Sequence, residues 1–318
     1  MFILYNKRKN NWRIEMDLLK ESENVVLFKA KYEDMTVGEV LFSYNISGRL
    51  FRRLKKEKSI YLNGKTVKTK EKVNSGDIVS IVMEDEIDNT LPQDIPLSIV
   101  YEDYDLLVIN KDPNIVVHPT KSHLEGTISN GISYYYKKNN IKKKIRFVNR
   151  LDMDTSGILI VAKNSFSHQQ MAIQFEENSV EKKYLALVEG IVEMDEDIID
   201  LPLGREEDKS IKKVVIEDGK KAITRYKVVE RYKDATLLEV QIYTGRSHQI
   251  RVHLEHIGHP IIGDTLYNRP SPFIDRQALH AYYIGARHPR TNEKIQFQVP
   301  LPEDMKNLIE NLKDPEII

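Results

Sequence analysis

Asp152 is the side chain of this sequence best placed to do chemistry. Residues 147–163 read Phe-Val-Asn-Arg-Leu-Asp-Met-Asp-Thr-Ser-Gly-Ile-Leu-Ile-Val-Ala-Lys. A short apolar stretch leads into a polar loop, then a Gly, then a longer apolar run from Ile158 to Ala162. Two buried strands of this kind hold a carboxylate on a tight, rigid turn with Arg150 beside it. A carboxylate so held can add covalently to a substrate or remove a proton from it. A second constellation lies at 245–254, Gly-Arg-Ser-His-Gln-Ile-Arg-Val-His-Leu. Ser247 reads as an N-cap after a Gly turn, and Ile250, Leu254 and Ile257 recur at helical spacing. That helix places His248 and Arg251 three residues apart on one face. Residues 181–190, Glu-Lys-Lys-Tyr-Leu-Ala-Leu-Val-Glu-Gly, read as a central strand buried on both faces and carrying Tyr184.

Several other chemistries are set aside by spacing. Asp152-Met153-Asp154-Thr155 has the form of a phosphohydrolase Asp-x-Asp nucleophile, but Arg150 interrupts the apolar run that should enter its first Asp. Asp154-Thr155-Ser156-Gly157 carries Ser and Gly in the wrong order for an aspartic protease and has no second copy to share a proton. Gly64-Lys65-Thr66 lacks the P-loop glycine five positions earlier, where Ser59 stands. His253, His256 and His259 have no Cys and no evident fourth ligand beside them, so they read as polar packing rather than a zinc site.

The three long segments, in their order along the chain, resemble the motifs of the RluA family of pseudouridine synthases, over roughly residues 98–300. Asn149 stands where that family has His before the Arg, and Ser247 where Thr is more usual. A weaker echo runs from Asn110-Lys111 to His118-Pro119, with Asp112 and Asn114 in place of the Pro and Gly of a Lys-Pro-x-Gly turn. Gly263-Asp264 with Tyr267, and Leu279-His280-Ala281, also match family signatures. The resemblance implies isomerisation of uridine to pseudouridine within RNA, without cofactor or metal. It makes Asp152 the catalytic carboxylate, pairs Arg251 with it, and has Tyr184 stack on the target uracil. It assigns Arg150, Arg246 and His248 to RNA contacts, Arg150 filling the gap left by a flipped base. Large-subunit ribosomal RNA is the favoured substrate and tRNA the alternative. A catalytically idle RNA-binding or ribosome-associated protein on the same fold is the competing reading.

The elements that must position these residues fall into regions. In the catalytic region, strand-like runs (106–110, 115–118, 158–162, 183–188, 222–230, 235–243, 279–286, 294–299) outnumber helical stretches (126–136, 165–177, 247–257, 302–313) and often follow one another directly. This predicts an α+β fold with a mixed, largely antiparallel sheet. Residues 36–83 read as two short helices, the second with a basic flank at Arg49, Arg52, Arg53, Lys55 and Lys56, then a hairpin at Asn63-Gly64 and a strand at 78–83. That pattern resembles the S-four-like RNA-binding module named after a small-subunit ribosomal protein, and implies RNA contacts for Arg52, Arg53, Lys55 and Lys56. The predicted organisation is a strand-rich extension at 1–35 with pieces at Trp12–Met16 and Val25–Ala30, the module at 36–83, an acidic linker at 84–97 and the catalytic domain at 98–318.

The net charge of the 318 residues is zero, yet its distribution is uneven. Residues 36–83 hold ten Lys or Arg against four acids, 84–105 hold eight acids and no Lys or Arg, and a second basic run spans 137–146. Both basic runs fall where the family touches RNA. Absence of Cys removes disulfides and thiolate nucleophiles and fits a reducing cytosol. No apolar run approaches the ~20 residues of a membrane span. The expectation is a cytoplasmic, soluble, monomeric protein.

Overall fold

The computed structural model describes residues 17–119, 124–205, 207 and 211–313. The strand expected at Trp12–Met16 lies outside them. Near the N-terminus, β1 (Val25–Lys29), α1 (Val37–Ser43), α2 (Gly48–Glu57), β2 (Ile60–Leu62), β3 (Lys65–Thr66) and β4 (Ile78–Val82) build a small unit. Thr36 and Glu39 close a capping box on α1, and Ser47 accepts the Leu50 amide at the start of α2. Asn63 (φ 47) and Gly64 (φ 77) make the β2–β3 turn with both residues left-handed, as a two-residue hairpin requires. The sheet order is β1-β4-β2-β3, so Val25–Lys29, expected in a separate extension, is an edge strand of this same sheet.

The larger unit contains β5 (Ser98–Glu102), β6 (Leu106–Lys111), α3 (Ile128–Lys138), β7 (Arg146–Phe147), β8 (Ser156–Ala162), α4 (Ser165–Glu176), β9 (Glu181–Glu189), β10 (Glu196–Asp200), β11 (Leu203–Gly204) and β12 (Val214–Val215). It continues with β13 (Ile223–Arg231), β14 (Ala235–Ile242), α5 (Gln249–His256), β15 (Leu279–Arg287), β16 (Lys294–Gln298) and α6 (Glu303–Lys313). Ten strands form one sheet in the order β10-β13-β14-β9-β15-β8-β6-β5, with β16 on β15 and β7 on β8. Every pairing in it is antiparallel except β15–β8. The fold is α+β, as the sequence predicts. The stretch at 115–118 is not a strand: the amides of Ile128 and Ser129 bond the carbonyls of Val116 and Val117, so it caps α3 rather than joining the sheet.

Alternation on β6 and β8 shows why their apolar runs are unbroken. Leu107, Ile109, Leu159 and Val161 pack under α3 against Ile128 and Ile132. Leu106, Val108, Ile158 and Ile160 pack on the opposite face with Met171 of α4. A central strand covered by helices on both sides has no polar face to offer. Residues 84–97 carry no helix or strand, but they are strapped to the larger unit: Leu91 and Thr90 carbonyls accept Asn130 and Ser133, and Asp88 accepts the Ile145 amide.

The two units are joined by specific contacts. Phe166 of α4 sits in the small unit's core, edge-on to Phe28 at 5.6 Å. The buried Arg290 pairs with the buried Asp105 at 2.6 Å and donates to the carbonyls of Ser22 and Val25 beside β1. Among the described residues, no helix is long and apolar enough to cross a membrane.

Candidate active site

The Asp152 loop is held from beneath by its own strands. Gly157 (φ 116) lies at the parallel β8–β15 crossing, where an added Cβ would stand 2.2 Å from the Ala281 carbonyl oxygen. Only glycine permits that approach. Asn149 uses its amide as a surrogate peptide, donating to the Ile158 carbonyl at 3.0 Å and accepting the Ile160 amide at 2.8 Å. Asn in place of the family's His therefore ties the loop to β8. Thr155 N–H closes the turn onto the Asp152 carbonyl at 3.1 Å.

Two buried cations secure the same loop from the side. Lys111, 1 % exposed, donates to the carbonyls of Asp112 and Met153 at 2.8 and 2.7 Å, and burial lowers its ammonium to about 8. Arg276 donates to the Asp154 carbonyl while its fork grips Asp304 at 2.6 Å at the start of α6. Asn114, where the resembling motif has Gly, adopts φ 61, a left-handed turn conformation that Asn tolerates. The turn is thus made without the glycine.

The guanidinium of Arg251 on α5 reaches this loop from 99 residues away. Its Nη1 donates to Asp152 Oδ2 at 3.2 Å, and its Nε and Nη2 form a bidentate pair with Asp264 at 2.6 and 2.7 Å. Asp264 is fully buried and also accepts the amides of Leu266 and Tyr267. The Arg251 face lies 5.1 Å from the Tyr267 ring centroid. Two carboxylates raise the already high Arg251 pKa against the opposing effect of burial. The result is a rigid, oriented cation beside a carboxylate that remains 35 % exposed.

The helix start differs from expectation. Ser247 is not the N-cap; His248 is, at φ 57 and ψ 17, without a side-chain cap. Gln249 instead fastens the turn that precedes the helix, its Oε1 accepting the Arg246 amide and the Thr244 hydroxyl. This frees the His248 ring to point its Nδ1 to the Tyr267 hydroxyl, at 3.0 Å, with its Nε2 3.9 Å from Asp152 Oδ2. Burial lowers the His248 pKa, so the ring is neutral at neutral pH.

Tyr184 lies on β9 opposite Val240 and packs against the main core. Burial raises its phenol pKa well above the usual value, and the Asp152 charge raises it further, which places the ring within reach of that carboxylate's field. The structure therefore gathers Asp152, Arg251 and His248 around one loop, with Tyr184 on β9 near enough for the Asp152 charge to act on its phenol. Arg150 is exposed on the same loop, and Arg246 is exposed at the start of α5 with its Nε on the Lys221 carbonyl.

On α2, Arg49, Arg52, Lys55 and Lys56 are exposed. Arg53 is not a free surface cation: it donates to Ser165 at 2.7 Å and Glu86 at 3.3 Å, a tether between the units. Part of the 137–146 run is likewise engaged. Lys143 is buried against Asn24 and the Glu23 carbonyl, and Arg146 pairs with Glu86 at 2.6 Å. The acidic strap thus neutralises basic residues that a linear count credits to RNA. His253 is fully buried with both nitrogens bonded, to Thr224 and the Leu201 carbonyl. Among the described residues no group of three or more His, Asp or Glu is arranged to hold a metal ion.

Sequence reasoning did not anticipate the clamping roles of Lys111, Asp264 and Arg276. A lysine ending the apolar run Leu-Leu-Val-Ile-Asn-Lys is a usable signal of burial, and Asp264 sits in a short matched signature. Arg276 has no such signal.

Comparison with known proteins follows the same lines. The family described as RNA pseudouridylate synthase matches residues 105–256. An uncharacterized RNA pseudouridine synthase of Bacillus subtilis is 44% identical over 264 residues, covering 81% of this chain and 87% of the relative. A ribosomal large subunit pseudouridine synthase D of Pasteurella multocida is 35% identical over 299 residues, covering 88% of this chain and 90% of the relative. Among solved structures, human RNA pseudouridylate synthase domain containing 1 superposes with a TM-score of 0.55 at 27% identity, covering 70% of this chain and 97% of that one.

Proposed function

This chain belongs to the RluA family of RNA pseudouridine synthases, and from that premise we propose that it isomerises uridines of large-subunit ribosomal RNA with Asp152 as the catalytic carboxylate. In the reaction the N1–C1′ bond of a uridine breaks, the base turns, and C5 bonds to C1′. The C5 proton leaves and N1 acquires one. The observation that supports the assignment best is the Asp152–Arg251–Asp264 chain beside Tyr184. Arg251 holds Oδ2 of Asp152, while Oδ1 has no hydrogen bond to a described residue and is open to a substrate. Either route, addition of Asp152 to the substrate or proton removal by it, uses that oxygen.

Tyr184 stacks on the uracil, and its hydroxyl, which bonds no described residue, serves the C5 proton transfer. Its raised pKa keeps the phenol protonated, so the hydroxyl acts as a relay, taking the C5 proton as it passes its own to a base such as a carboxylate. Flipping the target base out of a helix costs a few kcal/mol, and Arg150, exposed beside Asp152, fills the space it leaves. The small unit, counted from β1, acts as the S-four-like RNA-binding module; Arg52, Lys55 and Lys56 meet phosphates there, with Arg49 beside them. Arg246 and His248 border the site. Ribosomal RNA is favoured because relatives 35% and 37% identical, over 88% and 80% of this chain, carry that substrate in their names.

The test pairs two measurements. Mapping pseudouridines in total RNA with and without this protein locates the substrate; a loss confined to tRNA would replace the ribosomal assignment. Asp152→Asn should abolish isomerisation and leave RNA affinity within about twofold, because the mutation removes a reacting group and not a phosphate contact. Substantial turnover by that variant would remove Asp152 from the mechanism.

A further inference from the structure

His248 occupies a backbone conformation that a non-glycine residue rarely adopts, φ 57 and ψ 17, at a helix start that its side chain does not cap. Such strain persists where the surroundings over-determine it, and the surroundings here constrain the ring. Tyr267 stands edge-on to the imidazole, centroids 5.7 Å apart at 84°. The Tyr267 oxygen accepts the Lys213 amide at 2.7 Å. Its own hydrogen then finds an acceptor in His248 Nδ1 at 3.0 Å, the one hydrogen-bond acceptor of a described residue placed to take it. A neutral imidazole that accepts at Nδ1 carries its proton at Nε2. That nitrogen faces Asp152 Oδ2 across 3.9 Å, about an ångström beyond hydrogen-bond contact.

We propose that His248 is a positioning residue for the reaction: its Nε2–H, its tautomer set by Tyr267, closes onto Asp152 Oδ2 when RNA binds. The carboxylate oxygen is then gripped by two donors, Arg251 and His248, and the other oxygen is fixed toward the target nucleotide. Tyr267 serves both donors, since it also carries the Arg251 guanidinium on its face at 5.1 Å. The inference deepens the assignment of Asp152 as the catalytic carboxylate and rests on it.

The experiment compares His248→Ala, His248→Gln, Tyr267→Phe and Asp152→Asn with the parent in single-turnover isomerisation of an RNA substrate, alongside RNA affinity. Misplacing a reacting group by about an ångström costs up to about 10²-fold. His248→Ala is therefore expected to slow the saturated rate by roughly 10- to 100-fold with affinity changed less than about twofold. Gln, whose amide nitrogen reaches the Nε2 position, should recover most of that loss. Tyr267→Phe, which keeps the ring under Arg251 but frees the tautomer, should slow the saturated rate as well. Nitrogen NMR of the parent should show Nδ1 unprotonated and Nε2 protonated. A saturated rate unaffected in His248→Ala, a loss confined to affinity, a folded His248→Gln no better than Ala, or the opposite tautomer would each overturn the proposal. An active Asp152→Asn would overturn the assignment of Asp152 and this inference together. An inactive Asp152→Asn with a fully active His248→Ala would defeat the inference alone.

Discussion

Replacing Asp264 by Asn tests whether the site depends on a carboxylate that never meets substrate. Asp264 is fully buried and accepts four hydrogen bonds, from Arg251 Nε at 2.6 Å and Nη2 at 2.7 Å and from the amides of Leu266 at 3.1 Å and Tyr267 at 3.2 Å. Asn has the same shape but one acceptor oxygen, so its NH2 must face an Arg251 donor. Breaking one side of a buried ion pair in this way costs about 3–5 kcal/mol. With an unfolding entropy of about 2.1 cal/mol/K per residue, a chain of roughly 300 residues loses about 0.6 kcal/mol per degree, so Tm should fall by about 5–8 °C. Arg251, no longer anchored, shifts away from Asp152, and an ångström of shift corresponds to about a 10²-fold slower reaction. RNA affinity should hold, because Asp264 faces only protein. Thermal unfolding and single-turnover isomerisation measure the two effects. A variant with the parent's rate and a Tm within about 2 °C would show that Arg251 needs no anchor, and the orientation argument would fail.

Tyr184→Phe should retain RNA binding and base stacking but stall proton transfer, seen as a saturated rate lowered by about 10²-fold or more; equal rates would deny the hydroxyl a role. Binding should weaken steeply between roughly 50 and 200 mM salt, and neutralising Arg52, Lys55 and Lys56 together should reduce the log–log slope by about 3. Arg53→Gln should instead lower stability and leave the slope nearly unchanged, since Arg53 is engaged with Ser165 and Glu86; a slope change as large as that of its exposed neighbours would contradict this. Burial holds the His280 imidazole down to about 4 against an ordinary 6.5. Between those values the unfolded chain takes up a proton that the folded chain does not, so stability rises with pH across that window and is lost on acidification. The shift corresponds to about 3 kcal/mol. Urea midpoints measured from pH 7 to pH 4 should fall for the parent and fall less for His280→Gln; parallel curves would remove His280 from the acid response.

Sequence reached the strands and helices of the catalytic unit because their signals are local. The apolar runs 106–109 and 158–162 follow from burial on both faces, and Ile250 and Leu254 recur one turn apart because that side of α5 packs on the main core. The stretch at 115–118 has the same local pattern but spends its carbonyls on α3, which no window of that length reveals. The N-cap of α5 falls at His248 and not Ser247 for a similar reason: His248 turns left-handed with its ring on Tyr267, 19 residues further on.

Residue types and their order in the chain determined which groups could act: a carboxylate on a glycine-backed loop, an arginine on a following helix, a tyrosine on a central strand. Charge was where linear reading and structure diverged. Glu86 folds back on both Arg53 and Arg146, so the basic surface is narrower than the count implies. Only tertiary structure decided that Asp264 anchors Arg251, that Lys111 and Arg276 pin the loop by its carbonyls, and that β1 belongs to the small sheet. These contacts join residues far apart in sequence, and a buried ion pair gains its strength from exclusion of water, which exists only once the whole chain has packed.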